Sequence, residues 1–246
     1  MRVPDDTALI AFADLPGTRG LALAGSVARG EHTPWSDVDL LHYAAGNGVA
    51  DGVPPRWIGD RLVRVSSQTM EEARAELDRP EIAIWAVLPL REMRILLDRD
   101  GDVARLVDRA RSFQWASIAE RARRWASRRL AKDAENVLKL RAAIEREDES
   151  SILNAHLNLA QHCADAVAVA RGVLIPTENR FHDVVRKAAG SEWTQLQRAA
   201  YGLGGGDAVA RARATCALYA STVRLLAADL DPDDRAVAER VLQMLR

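Results

Sequence analysis

Side chains able to carry out chemistry are concentrated in residues 25–40, GSVARGEHTPWSDVDL. Asp37 and Asp39 stand two positions apart beside apolar residues, a pattern typical of a strand. Because strand side chains alternate, both carboxylates would lie on one face, where they repel each other unless a cation lies between them. A hard, oxygen-liganded divalent ion such as Mg2+ suits such a pair. The spacing therefore predicts a metal site at Asp37 and Asp39.

A phosphate-binding turn is predicted just before these carboxylates. The apolar run 20–24 predicts a buried strand, and it breaks at Gly25-Ser26, where a strand can pass into a helix. The first N–H groups of a helix lack partners within the helix, and Arg29 follows one turn later. Together with the Ser26 hydroxyl, these donors would suit a phosphate chain.

The same stretch resembles the nucleotidyltransferase superfamily that includes DNA polymerase beta, in which a Gly-Ser pair is followed by Ser-Asp-x-Asp and apolar residues. It is more narrowly similar to the kanamycin-type aminoglycoside nucleotidyltransferases. The matching positions are Gly25, Ser26, Arg29, Pro34, Trp35, Ser36 and Asp37. The resemblance implies that Gly25, Ser26, Arg29 and Ser36 bind a nucleotide triphosphate, while Asp37 and Asp39 act in catalysis as magnesium ligands. The alternative is a Gly-Ser turn before a surface hairpin with solvated aspartates.

The resemblance also implies a function. A nucleoside monophosphate, AMP from ATP, would pass to a hydroxyl of a small molecule such as an aminoglycoside-like antibiotic, with Mg2+ as the cofactor. A Glu-x-x-x-Lys pair would supply the general base and a phosphate contact, and Glu135 and Lys139 match that pair. Their i, i+4 spacing places them on one helix face, although such pairs are also common on protein surfaces. A homodimer is the assembly that the resemblance suggests.

One position departs from the superfamily pattern. The third carboxylate of the superfamily would lie on the next strand, where this sequence has Arg64. Three interpretations remain open: metals held by Asp37, Asp39 and nucleotide phosphates, an acid supplied from elsewhere in the fold, or a loss of activity. The Arg64 guanidinium could also replace a second cation.

Two other functions stay open. A toxin-type transferase could modify transfer RNA or a protein, and a catalytically silent module could bind a nucleoside triphosphate without turnover. The helix that carries Glu135 argues against a polycationic acceptor, because it is rich in arginine. These arginines are Arg121, Arg123, Arg124, Arg128 and Arg129.

Composition limits the classes of partner. The 246 residues include 34 Lys and Arg against 35 Asp and Glu, so the charge balance does not indicate long nucleic acid as a partner. Cys163 and Cys216 lie in apolar helical patterns, which predicts buried thiols rather than a disulfide or a metal site. The sequence shows no signal-peptide pattern and no apolar run of membrane-spanning length, so we expect a cytoplasmic location.

The pattern of elements predicts an α+β fold. Residues 1–105 form a nucleotidyltransferase domain with a mixed sheet, and residues 110–246 form an all-helical up-and-down bundle. Strands are predicted in residues 20–24, 37–43, 56–68 and 93–97, with helices in 5–15 and 69–78 and a loop in 44–55. Bundle helices are predicted in 118–149, 152–169, 178–190, 193–203, 208–230 and 232–246. Trp35 could border the nucleotide or the acceptor, and the pattern around Trp57 does not decide its role.

Overall fold

A computed structural model describes residues 3–46 and 53–245. The chain divides into two compact units, residues 1–114 and 115–246. The middle of the predicted loop 44–55, residues 47–52, lies outside the described residues, as do the first two residues and the last. Among the helices that the structure describes, none combines the length and the apolar character needed to span a bilayer.

The N-terminal unit is built on a five-stranded sheet. The strands are Thr18–Ala24 (β1), Val38–Ala44 (β2), Arg56–Ile58 (β3), Arg61–Thr69 (β4) and Arg94–Asp98 (β5). They lie in the order β3-β4-β2-β1-β5, with β2 and β4 parallel and the other neighbours antiparallel. The prediction of a mixed sheet is therefore confirmed. Residues 56–68, predicted as one strand, are instead a hairpin, because Gly59 (φ 57°) lets the chain reverse between β3 and β4.

One face of the sheet buries a hydrophobic cluster. Leu21 and Leu23 of β1, with Val38 and Leu40 of β2, pack against Leu9 and the residues around it. This covering segment is the short helix Asp6–Ile10 (α1) and a 3₁₀ turn, Ala11–Asp14. The leucines of β1 alternate with small residues that face the other side of the sheet, and β1 is buried on both faces from Gly20 onward.

Helices cover part of the opposite face. They are Met70–Glu76 (α3), Pro80–Glu92 (α4) and Asp102–Ser112 (α5), and the short helix Gly25–Ala28 (α2) precedes them in the chain. Helix α5 lies against β1 because position 20 is glycine: a Cβ there would come within 2.2 Å of a Val103 methyl group. Farther along the same face, Arg64 and Ser66 of β4 stay exposed, and this open end carries Asp37 and Asp39.

The C-terminal unit is helical. In the part that the structure describes, six helices follow residue 118: Ala119–Glu145 (α6), Glu149–Arg171 (α7), Phe181–Ala189 (α8), Ser191–Ala200 (α9), Ala208–Leu225 (α10) and Pro232–Met244 (α11). The Tyr219 hydroxyl donates to the Leu130 carbonyl at 2.8 Å, and the Trp193 indole donates to the Thr222 hydroxyl at 2.8 Å. The predicted α+β architecture with a helical C-terminal part is confirmed.

Candidate active site

The sheet gathers Asp37, Asp39 and Arg64 at one end of its open face. Asp39 is the register partner of Ala24 on β1 and of Arg64 on β4. The Arg64 Nη1 atom lies 3.8 Å from Asp37 Oδ2, and both side chains are partly exposed. Residues paired across parallel strands share a face, so both carboxylates lie on the same side as the guanidinium.

Gly25 brings the predicted phosphate-binding turn directly against Asp39. The residue has φ 67°, and a Cβ built on it would lie 2.4 Å from Asp39 Oδ2. Any larger side chain would therefore displace either the turn or the carboxylate. Glycine is required at this position both for its backbone conformation and for the close approach.

Arg29 follows the turn of α2 and is held by two carboxylates. Its Nε atom donates to Glu31 at 2.8 Å, and its Nη1 atom lies 3.6 Å from Glu92. The side chain is 14% exposed. A bound phosphate would compete with these two acids for the guanidinium. Glu92 is remote in the sequence, and no motif signals that it approaches Arg29.

Ser36 belongs to a tight loop before Asp37. Its hydroxyl accepts from the Thr33 N–H at 2.9 Å, and its own N–H donates to the Thr33 carbonyl at 3.1 Å. The buried Arg61 guanidinium donates to the carbonyls of Thr33 at 2.6 Å and of Ser36 at 2.9 Å. Sequence reasoning missed Arg61, although it alternates in phase with the buried Val63 and out of phase with Arg64.

The oxygen donors fit one divalent cation. Asp37 and Asp39 offer hard carboxylate ligands on one face, the ligand type that Mg2+ prefers. Among the described residues, no group of three or more His, Cys, Asp or Glu side chains is arranged to hold a metal ion. Arg64 takes the position where the superfamily pattern has its third carboxylate, directly beside Asp39. Within the part of the chain that the structure describes, further ligands would therefore be phosphate oxygens of the nucleotide or water.

Glu135 and Lys139 belong to the helical unit and are not among the side chains that the N-terminal unit brings together. Both lie on α6, exposed, with Lys139 Nζ 2.6 Å from Glu135 Oε1. A hydrogen bond from the Lys139 ammonium lowers the pKa of the Glu135 carboxyl. Glu135 is thus ionised at neutral pH and able to accept a proton.

Comparisons with known proteins agree with this site. Residues 9–81 match the family model described as nucleotidyltransferase domain, a range that includes every candidate residue of the N-terminal unit. The bifunctional uridylyltransferase/uridylyl-removing enzyme of Corynebacterium glutamicum is 35% identical over 88 residues, which cover 34% of this chain and 13% of that enzyme. The match thus spans a small part of that relative.

A solved structure extends the likeness of fold to almost the whole chain. The nucleotidyltransferase-like protein from Exiguobacterium sibiricum superposes with a TM-score of 0.54 at 17% identity, covering 96% of this chain and 76% of that one. The predicted resemblance to the nucleotidyltransferase superfamily is confirmed by the family match, which lies within the N-terminal unit. The narrower kanamycin-type resemblance stays a prediction.

Proposed function

We propose that this protein is a magnesium-dependent nucleotidyltransferase that moves a nucleoside monophosphate, AMP from ATP, to a hydroxyl of a small molecule. The close approach of Gly25 to Asp39 carries this proposal, because it sets the start of α2, whose first N–H groups lack partners within the helix, beside one of the two proposed metal ligands. The family match to residues 9–81 supports the same reaction class. The two buried free thiols fit a reducing compartment, so we place the protein in the cytoplasm.

Each candidate residue has a proposed role in the reaction. Backbone N–H groups at Gly25 and Ser26, with Arg29, would bind the triphosphate, and Asp37 and Asp39 would hold Mg2+. When bound, the ion offsets the negative charge that develops on the phosphate oxygens. The acceptor oxygen forms a bond to the α-phosphorus, the bond from that phosphorus to the bridging oxygen breaks, and the electron pair leaves with pyrophosphate.

Substitution of the two aspartates tests the proposal. We expect Asp37→Asn and Asp39→Asn to lose magnesium-dependent ATP binding in calorimetric titration. Pyrophosphate release with an acceptor should fall by on the order of 100-fold or more, because the metal contributes several kcal/mol in the transition state. Asp108→Asn is the control, since Asp108 is an exposed acid on α5. ATP binding that ignores both aspartates, with no pyrophosphate release, would contradict a transferase.

We also propose Glu135 as the general base that accepts the proton of the acceptor, with Lys139 as a phosphate contact. Glu135→Gln should lower the rate of pyrophosphate release while leaving ATP affinity unchanged, because only the proton transfer is lost. Glu145→Gln is a control, since Glu145 also forms an i, i+4 ion pair on the same helix, with Arg141 at 3.3 Å. Equal rates for the two variants would show that Glu135 is not the base.

A catalytically silent nucleotide-binding module is the second candidate, and the Arg64–Asp37 ion pair favours it. A guanidinium beside the carboxylates reduces their affinity for a cation. Arg64→Glu should then raise the affinity for Mn2+, measured by titration with the metal alone. An unchanged affinity would mean that Arg64 does not compete with a metal.

A further inference from the structure

Trp57 is exposed on the face of the sheet that carries the candidate active site. The residue is 70% exposed, whereas a tryptophan normally buries most of its surface. Trp57 on β3 pairs with Leu62 on β4, and Arg64 stands two residues farther along β4. Paired and i+2 positions share a face, so Trp57 lies on the same side as Arg64 and Asp39.

The strand order places different residues on the two sides of Asp37 and Asp39. The Gly25 turn follows β1, on one side of β2, while Arg64 and Trp57 lie on β4 and β3, on the other side. Adjacent strands are about 4.8 Å apart, so β3 lies about 10 Å from β2. This distance suits a small molecule that reaches from Trp57 to the carboxylates.

The geometry of the proposed transfer assigns one side of the carboxylates to the nucleotide and the other side to the acceptor. In the proposed transfer, the attacking oxygen and the leaving pyrophosphate lie on opposite sides of the α-phosphorus. If the triphosphate is held by the Gly25 turn, on the β1 side, then the acceptor approaches from the β4 and β3 side. This step rests on the proposed function.

We propose that Trp57 and Arg64 form the acceptor site, and that the acceptor is a planar ring bearing an anionic group, a phosphate or a carboxylate. The indole of Trp57 offers a flat apolar surface for stacking. A guanidinium matches the geometry of carboxylate and phosphate groups, and the Arg64 side chain is 57% exposed beside Asp37. A polycation such as an aminoglycoside would place its positive charges next to Arg64, which disfavours it as an acceptor.

A binding experiment on the full chain tests this site. With the donor site filled by Mg2+ and α,β-methylene-ATP, AMP and adenosine are titrated separately by calorimetry, because they differ only in the phosphate. We expect AMP to bind about tenfold or more tightly than adenosine, the value of a hydrogen bond to a charged group. A parallel comparison of salicylate with phenol distinguishes recognition of a carboxylate from recognition of a phosphate.

Variants separate the contribution of Arg64 to binding from that of Trp57. Arg64→Gln should abolish the difference between AMP and adenosine, while Trp57→Ala should weaken both by about tenfold, as expected for a lost stacking contact. Trp57→Phe keeps a ring and should restore binding. Arg56→Gln is the control for charge, because Arg56 is exposed on the opposite face of the same hairpin.

The outcomes distinguish this proposal from the proposed function. If α,β-methylene-ATP fails to bind, the proposed function and the proposed acceptor site are both wrong. If the analogue binds but AMP and adenosine bind equally, or Arg64→Gln behaves as the wild type, only the acceptor site is wrong. Binding of an aminoglycoside that is tighter than that of AMP and unaffected by Arg64→Gln would also overturn it.

Discussion

Gly25 and Gly30 allow a residue-scale test of the candidate site. Both have positive φ, 67° and 71°, but a Cβ at Gly30 meets nothing within 4 Å, whereas one at Gly25 meets the Asp39 carboxylate. Alanine at either position should cost about 1–2 kcal/mol in the free energy of unfolding, the cost of a left-handed backbone. Only Gly25→Ala should also abolish calorimetric binding of magnesium ATP. Equal ATP binding by the two variants would show that the contact with Asp39 has no role.

Arg61 is the second residue-scale test, because it stabilises the loop that carries Ser36. Arg61→Gln should lower the free energy of unfolding in urea by about 1.5–3 kcal/mol, the range for hydrogen bonds to a charged group. ATP affinity should fall as well, since the loop leads into Asp37. Arg19→Gln, which removes an exposed ion pair with Asp100, should cost about 1 kcal/mol or less. Similar losses for the two variants would contradict a special role of Arg61.

At the scale of elements, the buried His42 makes the free energy of unfolding depend on pH. The imidazole is buried in β2, with Nε2 2.8 Å from the Thr18 hydroxyl and Nδ1 3.0 Å from the Ser67 hydroxyl. Burial lowers the pKa of His42 below its ordinary value of 6.5. The unfolded chain therefore takes up a proton at a higher pH than the folded protein does. The free energy of unfolding should decrease as the pH falls below 6.5, and this contribution should be constant above it.

Urea unfolding at several pH values between 5 and 8, followed by intrinsic fluorescence, measures this effect. The decrease at low pH should be smaller in His42→Asn, which keeps hydrogen-bonding capacity but does not titrate. His32→Asn is the control, because His32 is exposed in the loop before β2. A decrease of the same size in all three proteins would assign it to other groups.

Elements were predictable where the local pattern decides them. The strand before Gly25 follows from its apolar run, the strand of Asp39 from alternation, and the capped helix α3 from the Thr69–Glu72 capping box. The apolar residues 82–87 belong to one helix, α4, that begins at Pro80 and continues through Pro89. Pro89 cannot donate a backbone hydrogen bond within α4, and the packing of the apolar face of α4 offsets this loss. The stabilisation by tertiary packing cannot be read from a local sequence pattern.

At the scale of the whole molecule, the two cysteines report on the unfolding of the helical unit. Cys163 and Cys216 are both buried in the helical unit, and burial raises the pKa of Cys216 to about 11. We expect no reaction with Ellman's reagent at pH 8 in the native protein, because the thiolate is both rare and inaccessible. Reaction should begin at the urea concentration where the helical signal in circular dichroism is lost. Rapid reaction of the native protein would contradict the packing of this unit.

The sequence by itself predicted the class of domain, and it predicted that Asp37 and Asp39 lie on one face near the Gly25 turn. A Gly-Ser turn and two aspartates in alternation are local patterns, and they depend only on backbone geometry and on the repulsion between like charges. Helical periodicity likewise determined the character of the C-terminal part.

The resemblance placed Arg64 near those carboxylates, but only the tertiary structure decided its register and the other residues around them. The pairing of β2 with β4 sets Arg64 beside Asp39, the hairpin brings Trp57 onto the same face, and Arg61 reaches the loop before Asp37. These contacts join residues that are remote along the chain. Strand order and register create them, and both are set by the packing of the whole sheet rather than by any local pattern.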